Sequence, residues 1–149
     1  MTDTNCKLDN SFGRLMGMAG RSFRSSLDQN LAQAGHDISA MHMLLLGYLC
    51  ENEGVNQQTL TECMFRDKTA TTRWIDFLET EDLVVRVPDK ADRRQKMIYL
   101  TKKGRGMAVE LMRVVWKTEE DALQGIEPQK IAICKEVLKQ VRVNLFPLE

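Results

Sequence analysis

The segment from Leu83 to Gly104, LVVRVPDKADRRQKMIYLTKKG, constrains this chain more than any other. Leu83 to Val87 is apolar and β-branched, which is strand composition. Pro88 ends that strand because proline has no N–H to give to a ladder. Met97 to Leu100 reads as the returning strand, and Thr101 as the cap of a following helix. The loop between them, Pro88 to Lys96, is too long for a tight hairpin turn and therefore protrudes. Just upstream, two short helical patterns meet at a tight turn. Two helices followed by a basic β-hairpin are the parts of a winged helix-turn-helix, so the fold class is mainly α with a small β-hairpin wing.

The remaining pattern is helical. Residues 1–10 read as a loose tail. An apolar stripe through Phe12, Leu15, Met16, Ala19, Phe23, Leu27 and Leu31 repeats at steps near three and four, and Gly35 marks its stop. Ser39 is an N-cap for a helix to about Asn52, with Met43, Leu44, Leu46 and Leu49 expected inward. Glu53-Gly54 closes it. Asn56 caps a short helix with Leu60, Cys63 and Met64 inward. Phe65-Arg66 forms a turn, and Asp67 caps a helix to about Glu81 whose inner face is Thr71, Ile75 and Leu78. Thr101 opens a long helix through Met107, Leu111, Val114, Val115 and Leu123, stopped at Gly125. Pro128 starts a last helix carrying Ile131, Cys134, Val137, Leu138, Val141 and Leu145. The expected organisation is a tail at 1–10, a helix at 11–35, a reading module at 36–104, and two helices over 105–149, all in one compact domain.

The chain has 149 residues and zero formal net charge, which argues against a uniformly basic nucleic-acid binder. The distribution says more than the sum. Between Arg86 and Arg105 lie eight basic and two acidic residues, net +6, leaving −6 for the rest. Charge concentrated on one hairpin suits a phosphate-contacting wing. Alone, a charged run reads first as a solvated loop; the two helices before it reverse that preference. The polar start of the chain has no apolar leader, and its longest apolar run, Met43 to Cys50, is far short of a membrane span, so a cytoplasmic protein without membrane contact is expected.

In a helix-turn-helix the second helix enters the major groove with its first residues against base edges. Here that end is DKTATTRW. Lys68, Thr69, Thr72 and Arg73 fall opposite the inner face. Thr69, Thr72 and Arg73 are candidates for the major groove, since Thr hydroxyls and an Arg fork suit base and phosphate acceptors. In the wing, Asp92 is expected to brace one of Arg93 and Arg94 while the other enters a minor groove, where narrow A·T tracts concentrate negative potential. Arg94 is assigned to that groove, and Lys68, Lys90, Arg93 and Lys96 to phosphates.

The segment resembles the MarR family of bacterial transcriptional regulators. The resemblance rests on Asp89, Asp92-Arg93-Arg94, Leu100-Thr101, Lys103-Gly104, Leu83-Val84 and Arg86, with Ile38-Ser39 and the spacing from Leu60 to Arg73 upstream. It covers about residues 36 to 105 by motif, and nearly the whole chain by the order of its helices. It implies a homodimer joined by the first and last two helices, binding a pseudo-palindrome in double-stranded DNA and regulating promoters, with repression the expected sign. It also implies a small phenolic or other lipophilic ligand between those helices and the reading module. The chain departs from the family pattern at His42, where Gln is common, at Ala70, at Phe77, and at Asp82, where Gly is usual.

For such a ligand, Met16, Met43, Met112 and Trp116 are candidate pocket residues, because Met lines adaptable apolar sites. Core filling is the first reading for each single Met and for Trp116, and pocket lining the second. Cys6 is the candidate redox residue. Cys50, Cys63 and Cys134 fit core positions. His36 reads as loop-exposed and His42 as packed or capping, so no metal site and no cofactor are expected. No phosphate-cradling loop, carboxylate pair or nucleophile–base set points to an enzyme. A winged module that binds protein instead of DNA, or a thiol-based regulator, are the alternatives.

Overall fold

The structure is a computed structural model that describes residues 10–62 and 67–145. Cys6, Cys63, Met64 and the Phe65–Arg66 turn lie outside these residues. The chain divides into two compact units, one running to Thr118 and one beginning at Glu119.

The first unit starts where Ser11 accepts the Arg14 N–H and opens α1 (Phe12–Gln33); Gly35, at φ +85°, follows its end. The amino end of α2 (Ala40–Glu51) is closed twice. Ser39 Oγ accepts the His42 N–H, and His42 Nδ1 accepts the Ser39 N–H at 3.2 Å, a reciprocal capping box. Asp28 of α1 accepts the Ala40 N–H at 2.6 Å, which places a carboxylate at the positive end of the helix dipole. Met43, Leu46 and Leu49 are buried as expected. Leu44 is not: it is 51% exposed, and Leu45 takes the core place. The helix is apolar almost all round, so its periodicity selects no face.

A strand that the sequence does not announce follows. β1 (Val55–Asn56) pairs antiparallel with β3 (Lys96–Leu100), which pairs in turn with β2 (Val84–Pro88), giving the order β1-β3-β2. Asn56 also caps α3 (Gln57–Leu60) by accepting the Gln58 N–H at 2.7 Å. Then comes α4 (Lys68–Thr80), capped by Asp67, whose Thr71, Ile75 and Leu78 are fully buried as the spacing predicts. Ile75 and Leu78 meet Leu45, Leu46, Leu49, Leu60 and Ile98 in one apolar core. Each such side chain contributes about 1.5–3 kcal/mol relative to exposure.

Two tight passages hold the wing to this core. After α4 the chain turns back through Asp82 at φ +58°, with Leu83 N–H bonded to Leu78 O at 2.8 Å and Asp82 N–H to Glu79 O at 3.0 Å. That is a Schellman end, in which the left-handed residue satisfies the last carbonyls. After β3, Thr101 Oγ1 accepts the Gly104 N–H at 2.9 Å and donates to Asp82 O at 2.7 Å, opening α5 (Lys102–Ala122) against the same turn.

In the second unit, Gly125 at φ +78° precedes α6 (Pro128–Leu145), with Pro128 in its first position. No residue of α6 is buried, and Cys134 is exposed, contrary to its expected core place. So short a unit has too little surface to enclose an apolar helix face. Among the described residues, no helix is long and apolar enough to cross a membrane.

Candidate nucleic-acid interface

α4 is set by its cap and its threonines. Asp67 Oδ1 accepts the Ala70 N–H at 2.9 Å, and Thr71 Oγ1 donates to Asp67 O at 2.8 Å. With Thr71, Ile75 and Leu78 turned inward, Lys68, Thr69 and Arg73 are exposed together on the outer side. Thr72 is half-buried and already engaged. Its hydroxyl donates to Lys68 O at 2.8 Å and accepts from Gln57 Nε2 at 3.1 Å.

The wing loop is ordered by its own backbone. Asp89 N–H bonds Gln95 O at 3.0 Å, and Gln95 N–H bonds Asp92 O at 2.9 Å. Asp89 Oδ1 accepts the Ala91 N–H, an Asx turn. Asp92 Oδ1 accepts both the backbone N–H of Arg94, at 3.1 Å, and its Nε–H, at 3.2 Å. These two bonds to Arg94 hold the Asp92 carboxyl below the usual carboxylate range. Arg94 remains 93% exposed. The brace therefore falls on Arg94 itself, which corrects the expected division in which Asp92 holds one arginine and frees the other. The reason is local: an Asx-type carboxylate reaches the N–H two residues on, so it selects Arg94 over its neighbour Arg93.

Arg86 is a second correction, because it is not part of the wing's available charge. Its side chain is 18% exposed, with Nη1 against Glu79 and Nη2 on Asp76 at 2.5 Å. Its Nε donates to Gln57 Oε1 at 3.3 Å. Arg105 pairs with Glu53, and Lys103 Nζ donates to Glu81 O at 2.6 Å. What the loop presents is Lys90, Arg93, Arg94 and Lys96. Among the described residues Lys68, Arg73, Lys90, Arg93 and Lys96 take no ion-pair partner, so their charge is open to phosphate.

Sequence reasoning missed the polar side chains that tie helix to wing: Asn56, which donates to Gln95 in the loop, and Gln57, Asp76 and Glu79 around Arg86. Asp76 and Glu79, three apart on an outer helix face, were the available sign that a nearby base would be neutralised.

A cavity of about 750 Å³ lies in the first unit, between α1, α2, α4 and α5. Met43 and Met112 line it with Phe23, Tyr48 and Trp74, and Arg24 and Glu51 are its charged members. Met16 and Trp116 do not line it; they are 42% and 61% exposed. Both sit on helix faces that turn away from the first unit's core, a placement that spacing alone does not give. Cys50 is half-buried. His36, expected in an exposed loop, is mostly covered and faces Glu110 at 3.6 Å. His42 is packed and capping as expected, its ring stacked on Phe77. Among the described residues no group of three or more His, Cys, Asp or Glu gathers as metal ligands would.

Residues 36–95 match the model of the MarR family. A Bacillus subtilis (strain 168) protein described as the uncharacterized HTH-type transcriptional regulator YybA is 28% identical over 136 residues, which span 91% of this chain and 89% of that relative. A MarR-family transcriptional regulator from Rhodococcus sp. RHA1 superposes with a TM-score of 0.81 at 25% identity, over 95% of this chain and 96% of that one. A mutant MarR from E. coli complexed with operator DNA superposes with a TM-score of 0.77 at 23% identity, over 87% of this chain and 91% of that one, a likeness of fold.

Proposed function

The chain belongs, through residues 36–95, to the MarR family of winged helix-turn-helix transcriptional regulators, and from that premise we propose that it binds a pseudo-palindromic operator as a homodimer and represses from it. The observation that carries this reading is Arg94, oriented by two bonds to Asp92 at the tip of an ordered loop and yet 93% exposed. An arginine held out but not covered is suited to a narrow minor groove, where a pre-aimed guanidinium loses little freedom on binding. Thr69, Thr72 and Arg73 meet the major groove at the start of α4, and Lys68 meets a phosphate beside it. Lys90, Arg93 and Lys96 meet the flanking phosphates. In a two-fold dimer the paired modules read half-sites about 34 Å apart, one helical turn. The E. coli MarR captured on operator DNA supports the use of this fold on duplex DNA. The exposed apolar residues of α6, Val137, Leu138 and Leu145, supply surface for the partner copy.

The cavity favours a ligand-controlled repressor. Its apolar and aromatic lining, with Arg24 at one side, suits a small aromatic acid or phenolate, and its walls include Trp74 of the reading helix, so occupancy can shift that helix.

The test is fluorescence anisotropy on the DNA flanking this protein's own gene, beside unrelated DNA, at several salt concentrations. The expected result is a selective complex whose log K falls with log salt at about −0.9 per neutralised phosphate. Equal, weak binding to all DNA would overturn the reading in favour of a protein-binding winged module.

A further inference from the structure

The wing loop projects beyond the three-stranded part of the sheet. β1 pairs with β3 only at Ile98 and Met97, so past Met97 the hairpin is two strands, Pro88 beside Lys96, and then loop. A two-stranded ribbon twists and bends more readily than a wider sheet. The bonds inside the loop shape it but do not fix it against the reading module. Asp89 with Ala91, Asp92 with Arg94, and the backbone of Gln95 with Asp89 and Asp92 all join loop residues to one another. Among the described residues, the one side-chain bond that leaves residues 89–95 runs from Asn56 Nδ2 to Gln95 Oε1. Its direction is settled at both ends. Asn56 Oδ1 accepts the Gln58 N–H at 2.7 Å as the cap of α3, so the Asn56 nitrogen faces the loop. The Asp92 carboxylate only accepts, so the Gln95 nitrogen lies on Asp92 Oδ2, at 3.5 Å, and its oxygen on Asn56. The other Asp92 oxygen holds Arg94. A path of bonds thus joins the cap of α3, through Gln95, to the carboxylate that aims Arg94. α3 is tied to α4 in turn, Gln57 Nε2 donating to Thr72 Oγ1 at 3.1 Å.

We infer that Gln95 is a positioning residue, with Asn56 as its anchor, and that the pair fixes where the Arg94 guanidinium stands relative to α4. The inference rests on the proposed reading of DNA by α4 and the wing together. A protein that enters two grooves at once needs the separation of its two probes to match that of the grooves. Freedom in that separation is lost on binding and costs affinity. The bond from Asn56 to Gln95 removes part of that freedom before DNA arrives, by carrying the support of β1 and α3 out to the loop. Neither side chain has to touch DNA to do so. The intraloop bonds of Asp92 aim Arg94 within the loop, and Gln95 holds the loop itself in place.

The test is a double-mutant cycle, read by fluorescence anisotropy on the duplex that the full-length native protein selects from random DNA. Gln95→Met keeps the length of the side chain and removes both amide bonds. Asn56→Ser keeps an N-cap acceptor for α3 and removes the donor to the loop. Each is expected to weaken binding about three- to fivefold with the melting temperature unchanged, and the two together no more than either alone. In an Arg94→Ala background the same substitutions are expected to change affinity by less than about 1.5-fold, because no aimed guanidinium remains to be misplaced. A direct contact with DNA, or a general loosening of the fold, would keep its effect without Arg94. Asn56→Ser decides alone if Gln95→Met does not fold. Unchanged affinity in either folded variant, or a loss that persists in the Arg94→Ala background, overturns the inference and leaves the DNA reading standing. If the native protein selects no site, that reading is overturned and the inference falls with it.

Discussion

His42 and Phe77 stack with ring centroids 4.4 Å apart and planes inclined by 20°. Both depart from the family pattern, and the fold brings the two departures into contact. One ring stands in the capping box of α2, the other on the reading helix α4.

The first prediction concerns pH. Burial pushes His42 below its ordinary 6.5, and Asp28 and Asp37 pull it partly back. As pH falls, the unfolded chain therefore takes the proton before the folded one. The stabilisation tied to the neutral ring is complete above about pH 6.5 and is lost as pH falls through the folded value. His42→Gln keeps a cap acceptor at the third helical position and removes the titration. Urea unfolding at about pH 7.5 and 5.5 should show a smaller drop in stability for this variant than for the native chain. Equal drops would show that the ring does not titrate in this window.

A second prediction comes from Gly104 and Leu83. A methyl group on Gly104 would stand 1.8 Å from the Leu83 carbonyl oxygen, so α5 and the wing strand can approach this closely only without a side chain. Gly104→Ala is expected to cost about 2–3 kcal/mol or more, since backbone has to move. Gly106, two residues on in the same helix, has open space around it, and Gly106→Ala is expected to stabilise by up to about 1 kcal/mol. Opposite signs in urea midpoints are the readout; like signs would refute the contact.

The turn after α4 gives a third. Asp82 adopts φ +58°, a left-handed conformation that costs a side chain about 1 kcal/mol, somewhat less for Asp. Asp82→Gly should therefore raise the melting temperature modestly, by the equivalent of about 0.5–1 kcal/mol. A lower melting temperature would mean that the Asp82 side chain makes a contact worth more than the strain.

A fourth separates orientation from charge in the wing. Arg94→Ala should weaken operator binding about tenfold or more, with dimerisation and melting unchanged. Asp92→Ala removes an acid from a DNA-facing loop, which by charge alone would tighten binding. The expected result is weaker binding, because Arg94 loses the two bonds that aim it. Tighter binding would make Asp92 a mere repulsive charge.

Much of this was legible in the chain. The caps Ser39, Asn56, Asp67 and Thr101, the stops Gly35, Gly54 and Gly125, and the buried triplet Thr71, Ile75 and Leu78 are all where spacing and local chemistry put them. So is the protruding loop with Asp92 as its brace. These features depend on residues within about one helical turn or one strand alternation of each other, the range over which sequence carries an unambiguous signal.

Tertiary structure decided the rest, since each depends on what approaches from elsewhere in the chain. Val55 and Asn56 are a strand only because β3 lies beside them, a pairing too short to leave a pattern of its own. Leu45 is inside and Leu44 outside because α2 is apolar on every side and its neighbours choose the face. Arg86 reads as a wing base, yet Asp76, Glu79 and Gln57 converge on it from two helices and withdraw its charge from solvent. Met43 and Met112 line the cavity while Met16 and Trp116 do not, because packing of four helices against one another settles which side chains share a space. The sequence by itself determined the helices with their caps, the two strands of the wing and the exposed cations of the reading module. Which polar groups neutralise or orient one another was left to tertiary structure, because hydrogen bonds and ion pairs act over a few ångströms in space, whatever the separation along the chain.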